Sequence, residues 1–330
     1  MPEFKITDPP PMELRAEIQA DLRDLRDALD EAIPAKVPDR NVLICTWNIR
    51  EFGDLTKKWR AEPGDSPKRD FHAVRCIAEI VSRFDVIALQ EVTANLRSFR
   101  HMLKVLGRDW GFTLTDVNKG ASGNSERMAF VFDTRKVVLS GLASELVVPK
   151  EQLDAGITAN ALQEQFSRTP YAVSFRSGGR TFILVTLHVK WKGGVKKRTG
   201  ELQAIAQWMA DWANYVHAYD HNLIALGDFN IDRKGSMLYE AFTSTGLYVP
   251  EQLHEVPRTI FHNPRKPKSY DQIAWFTEES GCPALKLKYL RCGSFDFPKV
   301  AMKSLNLSKQ QLSWRISDHC PLWVEFSVRD

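Results

Sequence analysis

The stretch NLIALGDFNID, residues 222–232, runs Leu223, Ile224, Ala225 and Leu226 into a glycine and then presents Asp228, Asn230 and Asp232. A continuous apolar run of this length suits a strand buried on both faces of a sheet. Its polar end has two explanations. Gly, Asp and Asn are turn formers. Carboxylates and an amide at the end of a buried strand are also the hard oxygen donors that a divalent cation needs. The choice depends on whether other strands end the same way.

They do. Asn48 closes LICTWN, Glu91 closes VIALQE, and His188 lies at the end of FILVTLH. Asp271 opens YDQIAW, and Asp318 and His319 open the last strand in SDHCPLW. A single residue of this kind is a turn or cap residue. Six strand ends carrying Asn, Glu, His, Asp and His exceed what turns account for.

The remaining pattern fixes the class. Residues 12–33 repeat Leu14, Ile18, Leu22, Leu25, Leu29 and Ile33 at steps of four and three, bounded by Pro9–Pro11 and Pro34, which reads as one amphipathic helix. Such a helix either lies on the main domain or dimerises as a short coiled coil. Residues 1–40 form this helix and a linker, and residues 41–330 form the main domain. In the latter, NVLICTWNI, DVIALQEV, RMAFVFD, KVVLSGLASELVV, YAVSFRS, RTFILVTLHV, NLIALGDF, YDQIAWF, ALKLKYL and CPLWVEFSV read as strands. RDFHAVRCIAEIVSRF, LRSFRHMLKVLG, TGELQAIAQWMADWANYVHAY and GSMLYEAFTSTG read as helices, and Gly178–Gly179 as a hairpin turn. Residues 149–166 are polar and irregular and read as a surface insertion. Strands outnumber helices and do not alternate strictly with them. The expected fold is α/β, with two mixed sheets packed face to face and helices outside.

Composition narrows the function. Of 330 residues, 43% are hydrophobic and 26% charged, as in a soluble globular protein. The apolar runs are strand-length, far short of a membrane span. No basic start followed by an apolar stretch opens the chain, and the five cysteines lack metal-ligand spacing. Reduced thiols in a cytoplasmic protein are expected, with a Cys282–Cys292 pair the alternative for an exported one. The net charge of +4 divides into −4 over residues 1–40 and +8 over the rest. That surplus favours an anionic partner.

The set TWNIREFG, DVIALQEV, LVTLHVKW, LGDFN, SYDQIAWF and SDHCPLWVEF, with SERMAFVFD and FSRTPYAVSF, resembles the endonuclease/exonuclease/phosphatase superfamily, and within it the deoxyribonuclease-I-like nucleases. The resemblance runs in order from about residue 41 to about 328. It implies a four-layer α/β sandwich that hydrolyses phosphate esters with Mg²⁺, Mn²⁺ being a possible substitute. Asn48, Glu91 and Asp318 are the expected oxygen ligands. Asp228 would orient the attacking water and accept its proton, with Asn230 bonding the water or a phosphate oxygen. A second ion at Asp228, Asn230 and His319 stays open. By motif, His319 pairs with Asp271 and His188 with Glu126, while Arg168 matches a phosphate-binding arginine. Glu126 as an ordinary strand residue and Arg168 as a salt-bridge residue are the plain alternatives.

Two basic stretches border these strands. KWKGGVKKR supplies Lys190, Lys192, Lys196, Lys197 and Arg198 around Trp191, and RTIFHNPRKPKSY supplies Arg258, Arg265, Lys266 and Lys268 around Phe261, ending at Tyr270. Lys190, Lys192 and Tyr270 are candidate substrate contacts, because basic residues interleaved with aromatics suit a nucleic-acid backbone and its bases. In the deoxyribonucleases an arginine stands two residues after the glutamate, and here Thr93 stands there, which puts their groove contact in doubt. A Mg²⁺-dependent endonuclease acting on DNA is the leading expectation. A phosphodiesterase or phosphatase acting on a small or lipid phosphate, and a binding module without catalysis, are the alternatives.

Overall fold

The computed structural model describes residues 5–117, 125–146, 168–189, 194–215 and 217–329. The insertion read at 149–166, and Lys190, Trp191 and Lys192, lie outside them. In chain order come α1 (Met12–Ala32), β1 (Asn41–Phe52), α2 (Phe71–Val81), β2 (Val86–Thr93), α3 (Arg97–Leu106), β3 (Trp110–Leu114) and β4 (Glu126–Asp133). There follow β5 (Val138–Glu145), β6 (Tyr171–Ser177), β7 (Arg180–His188), α4 (Gly194–Asn214), β8 (Leu223–Ile231), α5 (Met237–Thr243) and β9 (Leu247–Tyr248). β10 (Ser269–Phe276), β11 (Lys288–Ser294) and β12 (Leu322–Ser327) complete the strands. The first sheet has the order β11-β12-β1-β2-β4-β3, and the second β5-β6-β7-β8-β10-β9.

The apolar runs are continuous because both sheets are covered on both faces. In β1, Val42 and Ile44 enter the core between the sheets. Leu43, Cys45 and Trp47 enter a second core, under helices α1 and α2. Phe130 and Phe132 of β4 meet Phe175 of β6 across the sheet interface, each pair with ring centroids 5.5 Å apart. On the outer face of the second sheet, α4 contributes Leu202, Ile205, Ala206 and Met209. The result is the expected helix–sheet–sheet–helix sandwich.

Helix α1 spends its apolar stripe within the chain. Ile18, Leu22, Leu25 and Leu29 are buried in the same core as α2. Asp21 on its buried side accepts hydrogen bonds from the Ser304 backbone N–H at 3.0 Å and hydroxyl at 2.6 Å. Of the two sequence readings, the helix lies on the main domain. All five cysteines are free.

The differences from the sequence reading have local causes. β3 and β9 went unread because both are edge strands: β3 has no fully buried residue, and β9 has two residues. β11 begins at Lys288, inside ALKLKYL, rather than at its first residue, because Leu285 and Leu287 pack into the core before the strand pairs with β12. The helix α4 starts at Gly194, so its first turns absorb part of the basic run.

One glycine is demanded by the sandwich. Gly227 of β8 has φ +148°, and a Cβ there would lie 2.0 Å from the Leu187 carbonyl oxygen on β7. Gly227→Ala should destabilise the fold by about 3 kcal/mol or more, since backbone must move to relieve it. Denaturant unfolding measures this, and a loss under about 1 kcal/mol would contradict the close approach.

Candidate active site

The site is assembled by register. β7 and β8 run parallel with His188 opposite Asp228, and β8 and β10 run antiparallel with Asp228 opposite Asp271. His188, Asp228 and Asp271 therefore form one row across three adjacent strands. In the facing sheet, β1 and β2 run parallel with Asn48 opposite Gln90, and β4 places Glu126 opposite Thr93. Glu91 follows Gln90 with φ +60° and Asn230 follows Asp228 with φ +50°. Both are left-handed conformations that interrupt the strand pleat and re-aim a side chain at its end.

Asp228 is the hub. Its Oδ2 accepts a hydrogen bond from Asn48 Nδ2 at 3.0 Å, and the same Asn48 nitrogen lies 3.0 Å from Glu91 Oε1. Asn48 thus joins carboxylates of the two sheets. His188 Nε2 lies 3.6 Å and His319 Nε2 3.9 Å from Asp228 Oδ2. Asn230 N–H donates to Asp228 Oδ1 at 2.9 Å, while its amide Nδ2 donates to the Val189 carbonyl at 2.7 Å. That amide nitrogen holds the loop after β7, so Asn230 acts on Asp228 through its backbone.

Each histidine has a carboxylate behind it. His319 Nδ1 lies 2.8 Å from Asp271 Oδ2, and Asp271 is fully buried. His188 Nδ1 lies 3.5 Å from Glu126 Oε2, a longer approach, because Arg168 Nε donates to that oxygen at 2.5 Å. Burial and the charges of Arg168 and His319 hold His188 well below the usual histidine range. Burial also opposes charge on His319, yet Asp271, Asp228 and Asp318 outweigh it and raise its affinity for a proton well above normal. The surroundings thus favour the neutral form of His188 and the charged form of His319. Burial, with Asp271 nearby, pushes Asp228 up to about 6. Burial and the neighbouring Glu126 also raise Glu91.

The donor set fits a hard cation. Asn48 Oδ1 is buried without a hydrogen-bond partner, on the amide that touches Glu91. No group of three His, Cys, Asp or Glu side chains among the described residues could hold a metal by itself. An amide oxygen with one or two carboxylates is a set that suits Mg²⁺, which keeps several waters, and not a structural zinc. Asp318 stands at the edge of this group. Its carboxylate is one-third exposed and 4.0 Å from Arg50 Nη1, and its carbonyl accepts from Thr259 and Ile260. Tyr270 reaches the rim, its ring 6.0 Å from that of His319, with Lys268 Nζ 5.6 Å from its own centroid.

Several supports escaped the sequence reading. Ser317, fully buried, donates to the Asn48 carbonyl at 2.6 Å and accepts from the Arg50 and His319 backbone N–H groups. Trp47 Nε1 donates to the His319 carbonyl at 2.8 Å. Arg69, buried, donates to the carbonyls of Arg50, Glu51, Arg315 and Ile316, which ties the loop after Asn48 to the one before His319. Beneath them Gln90 bridges Thr46 and Thr186, one in each sheet. Two basic residues read as rim charges are structural instead. Arg198 is buried, donating to the Asn230 carbonyl and lying 3.6 Å from Asp232. Arg258 is buried among the carbonyls of Leu253, Val256 and Asp271. Arg265, Lys266 and Phe261 are exposed, as expected of a rim.

Comparison with known proteins agrees with this geometry. The sequence profile of the endonuclease/exonuclease/phosphatase family matches residues 45–265. A protein named deoxyribonuclease from Thioalkalivibrio sp. (strain K90mix) is 24% identical over 292 residues, covering 86% of this chain and 70% of its own length. A mannosyl-6-phosphatase from Bacteroides thetaiotaomicron superposes with a TM-score of 0.55 at 18% identity, over 86% of this chain and 99% of that one. TDP2 from D. rerio, complexed with single strand DNA product, superposes with a TM-score of 0.55 at 15% identity, over 87% and 98%.

Proposed function

The chain belongs to the endonuclease/exonuclease/phosphatase family of hydrolases, and on that premise we propose that it is a Mg²⁺-dependent endonuclease that hydrolyses phosphodiester bonds in DNA. The observation that carries this reading is the pair of carboxylate-backed histidines, His319 on Asp271 and His188 on Glu126, facing one Asp228 oxygen from two sides. The similarity to a deoxyribonuclease over most of the chain supports a polynucleotide substrate.

Asn48, Glu91 and Asp318 would hold the ion. Held there, an ion would supply positive charge against the phosphoryl and leaving oxygens. Asp228, ionised above about 6, orients the attacking water and takes its proton. The backbone N–H of Asn230 and the amide of Asn48 fix the carboxylate for that task. His319, held charged by Asp271, donates to a phosphate oxygen, where its positive charge meets developing negative charge. His188 is neutral, and its Nε2 faces the same space. Arg168 holds Glu126 beside His188, so Arg168 acts through that carboxylate as well as offering its remaining N–H groups to a phosphate. Lys190, Lys192 and Tyr270 complete the substrate contacts in this reading.

Supercoiled plasmid incubated with Mg²⁺ tests it, beside a phosphoinositide and sphingomyelin. Nicking that EDTA abolishes and Mg²⁺ or Mn²⁺ restores is expected. Nicking that survives chelation would remove the metal role, and hydrolysis of a small or lipid phosphate without any polynucleotide cleavage would replace the nuclease reading.

A further inference from the structure

Beside Glu91, at the start of α3, lies a pocket of about 370 Å³ whose lining includes Asn95, Arg97, Arg100, His101 and Lys104 and, among the described residues, no acidic one. Its first lining residue is Ala94. Ala94 is three positions after Glu91, so the two lie at most about 11 Å apart.

The pocket is fixed to the active site rather than hung from a free loop. Ser98 N–H donates to the Gly53 carbonyl at 2.8 Å and its hydroxyl to the Asp54 carbonyl at 3.0 Å, which clamps α3 to the loop after β1. Thr93 packs onto Gly53, where a Cβ would lie 2.2 Å from the threonine oxygen. Arg97 is paired with Asp54 at 2.5 Å. Arg100 and Lys104 are exposed, one turn apart on one face, and neither has an ion-pair partner among the described residues. Two unneutralised cations on one helical face repel each other and cost stability unless an anion sits between them. The same cations bear on His101, whose proton affinity is lowered by burial and then by Lys104, Lys57 and Arg97.

The geometry points to this face of α3 as a binding site for the phosphate backbone of the nucleic acid that flanks the scissile bond, with Arg100 and Lys104 as its phosphate contacts. The inference rests on the nuclease reading and extends the substrate beyond the reacting phosphate. It also accounts for Thr93. A groove-reading arginine at that position would reach from the strand end, whereas here the cations stand one element later, on α3. Phosphates that rise about 3.4 Å apart along the duplex axis on one strand place two or three charges within that reach.

The test is the double variant Arg100→Glu/Lys104→Glu, assayed on plasmid DNA and on bis(p-nitrophenyl) phosphate, an ester too small to span the pocket. Neither residue belongs to the reacting centre. On plasmid, KM should rise by about tenfold with kcat retained, and the log–log salt dependence of kcat/KM should flatten by about two units, the signature of two lost phosphate contacts. Hydrolysis of the small ester should be unchanged. An unchanged plasmid KM and salt slope would overturn the proposal, as would equal losses on both substrates, which would mean a disturbed centre. The milder Arg100→Gln/Lys104→Gln variant removes the charge without reversing it and should give the same pattern at smaller amplitude; a normal salt slope there also overturns it. Failure of the nuclease reading itself shows separately, as wild-type protein that cleaves the small ester and leaves plasmid intact.

Discussion

Replacing His319 with alanine is expected to lower the rate of plasmid cleavage by about 10²–10⁴-fold, the range lost with a positioned acid–base group. The reason lies in how the ring is held. Asp271, buried on β10, takes Nδ1 at 2.8 Å, which leaves Nε2 directed toward Asp228. Burial alone would strip the proton from such a ring, but Asp271, Asp228 and Asp318 retain it. The side chain is therefore a fixed cation inside a crevice where a phosphate must sit. Alanine removes that charge and also leaves Asp271 without its partner, so some stability will be lost with it. His319→Gln separates the two effects, because its amide can still donate to Asp271 yet carries no charge. It should restore much of the thermal stability and little of the rate. A His319→Ala protein that turns over within a few-fold of the wild type would remove His319 from the proposed reaction.

Asp228→Asn should lower the rate by a similar or larger factor, about 10³–10⁴, while leaving stability unchanged or raised at pH 8. The carboxylate is 2% exposed and its proton affinity is raised to about 6. For an acid whose folded-state pKa exceeds its unfolded value near 3.9, stability is greatest below that unfolded value and declines as pH rises through about 6. At pH 8 the buried anion is thus a cost, one that the neutral amide removes. The Asn48 amide can turn its unpaired Oδ1 toward the new N–H group. Thermal melts of both proteins at pH 8, with rates on plasmid, check the pair of outcomes. A variant that loses activity only because it unfolds would contradict this account of Asp228.

The two predictions draw on residues that sequence made legible for one reason. Asp228, Asp271, Glu91 and His188 each interrupt or end an apolar strand, and a polar residue at that point stands out against the run. The pairings His319–Asp271 and His188–Glu126 came from motif resemblance, and the fold brings them to 2.8 Å and 3.5 Å. The supports were not legible. Arg69 sits in RDFHAV as though on an exposed helix start, and its four carbonyl partners come from residues 50–51 and 315–316. Ser317 was visible only as a neighbour of Asp318, yet it is the hydroxyl that clasps β1 to the His319 loop. Arg198 and Arg258 failed in the opposite direction. Each lies in a basic stretch, which reads as a solvated rim, and each is buried, Arg198 against the Asn230 carbonyl and Asp232, Arg258 among the carbonyls of Leu253, Val256 and Asp271. The overall sandwich was legible because both sheets are covered twice, which makes the strands continuous apolar runs. The edge strands β3 and β9, half-covered or two residues long, give no such signal.

The central claim is that Asn48 and Glu91 of the first sheet hold one hard divalent cation beside Asp228 of the second. Anomalous diffraction from crystals soaked in Mn²⁺ tests it directly. The predicted result is a peak within coordination distance of Asn48 Oδ1 and a Glu91 oxygen, lost in Glu91→Gln crystals. A peak placed elsewhere, or none at this position at saturating Mn²⁺, would contradict it.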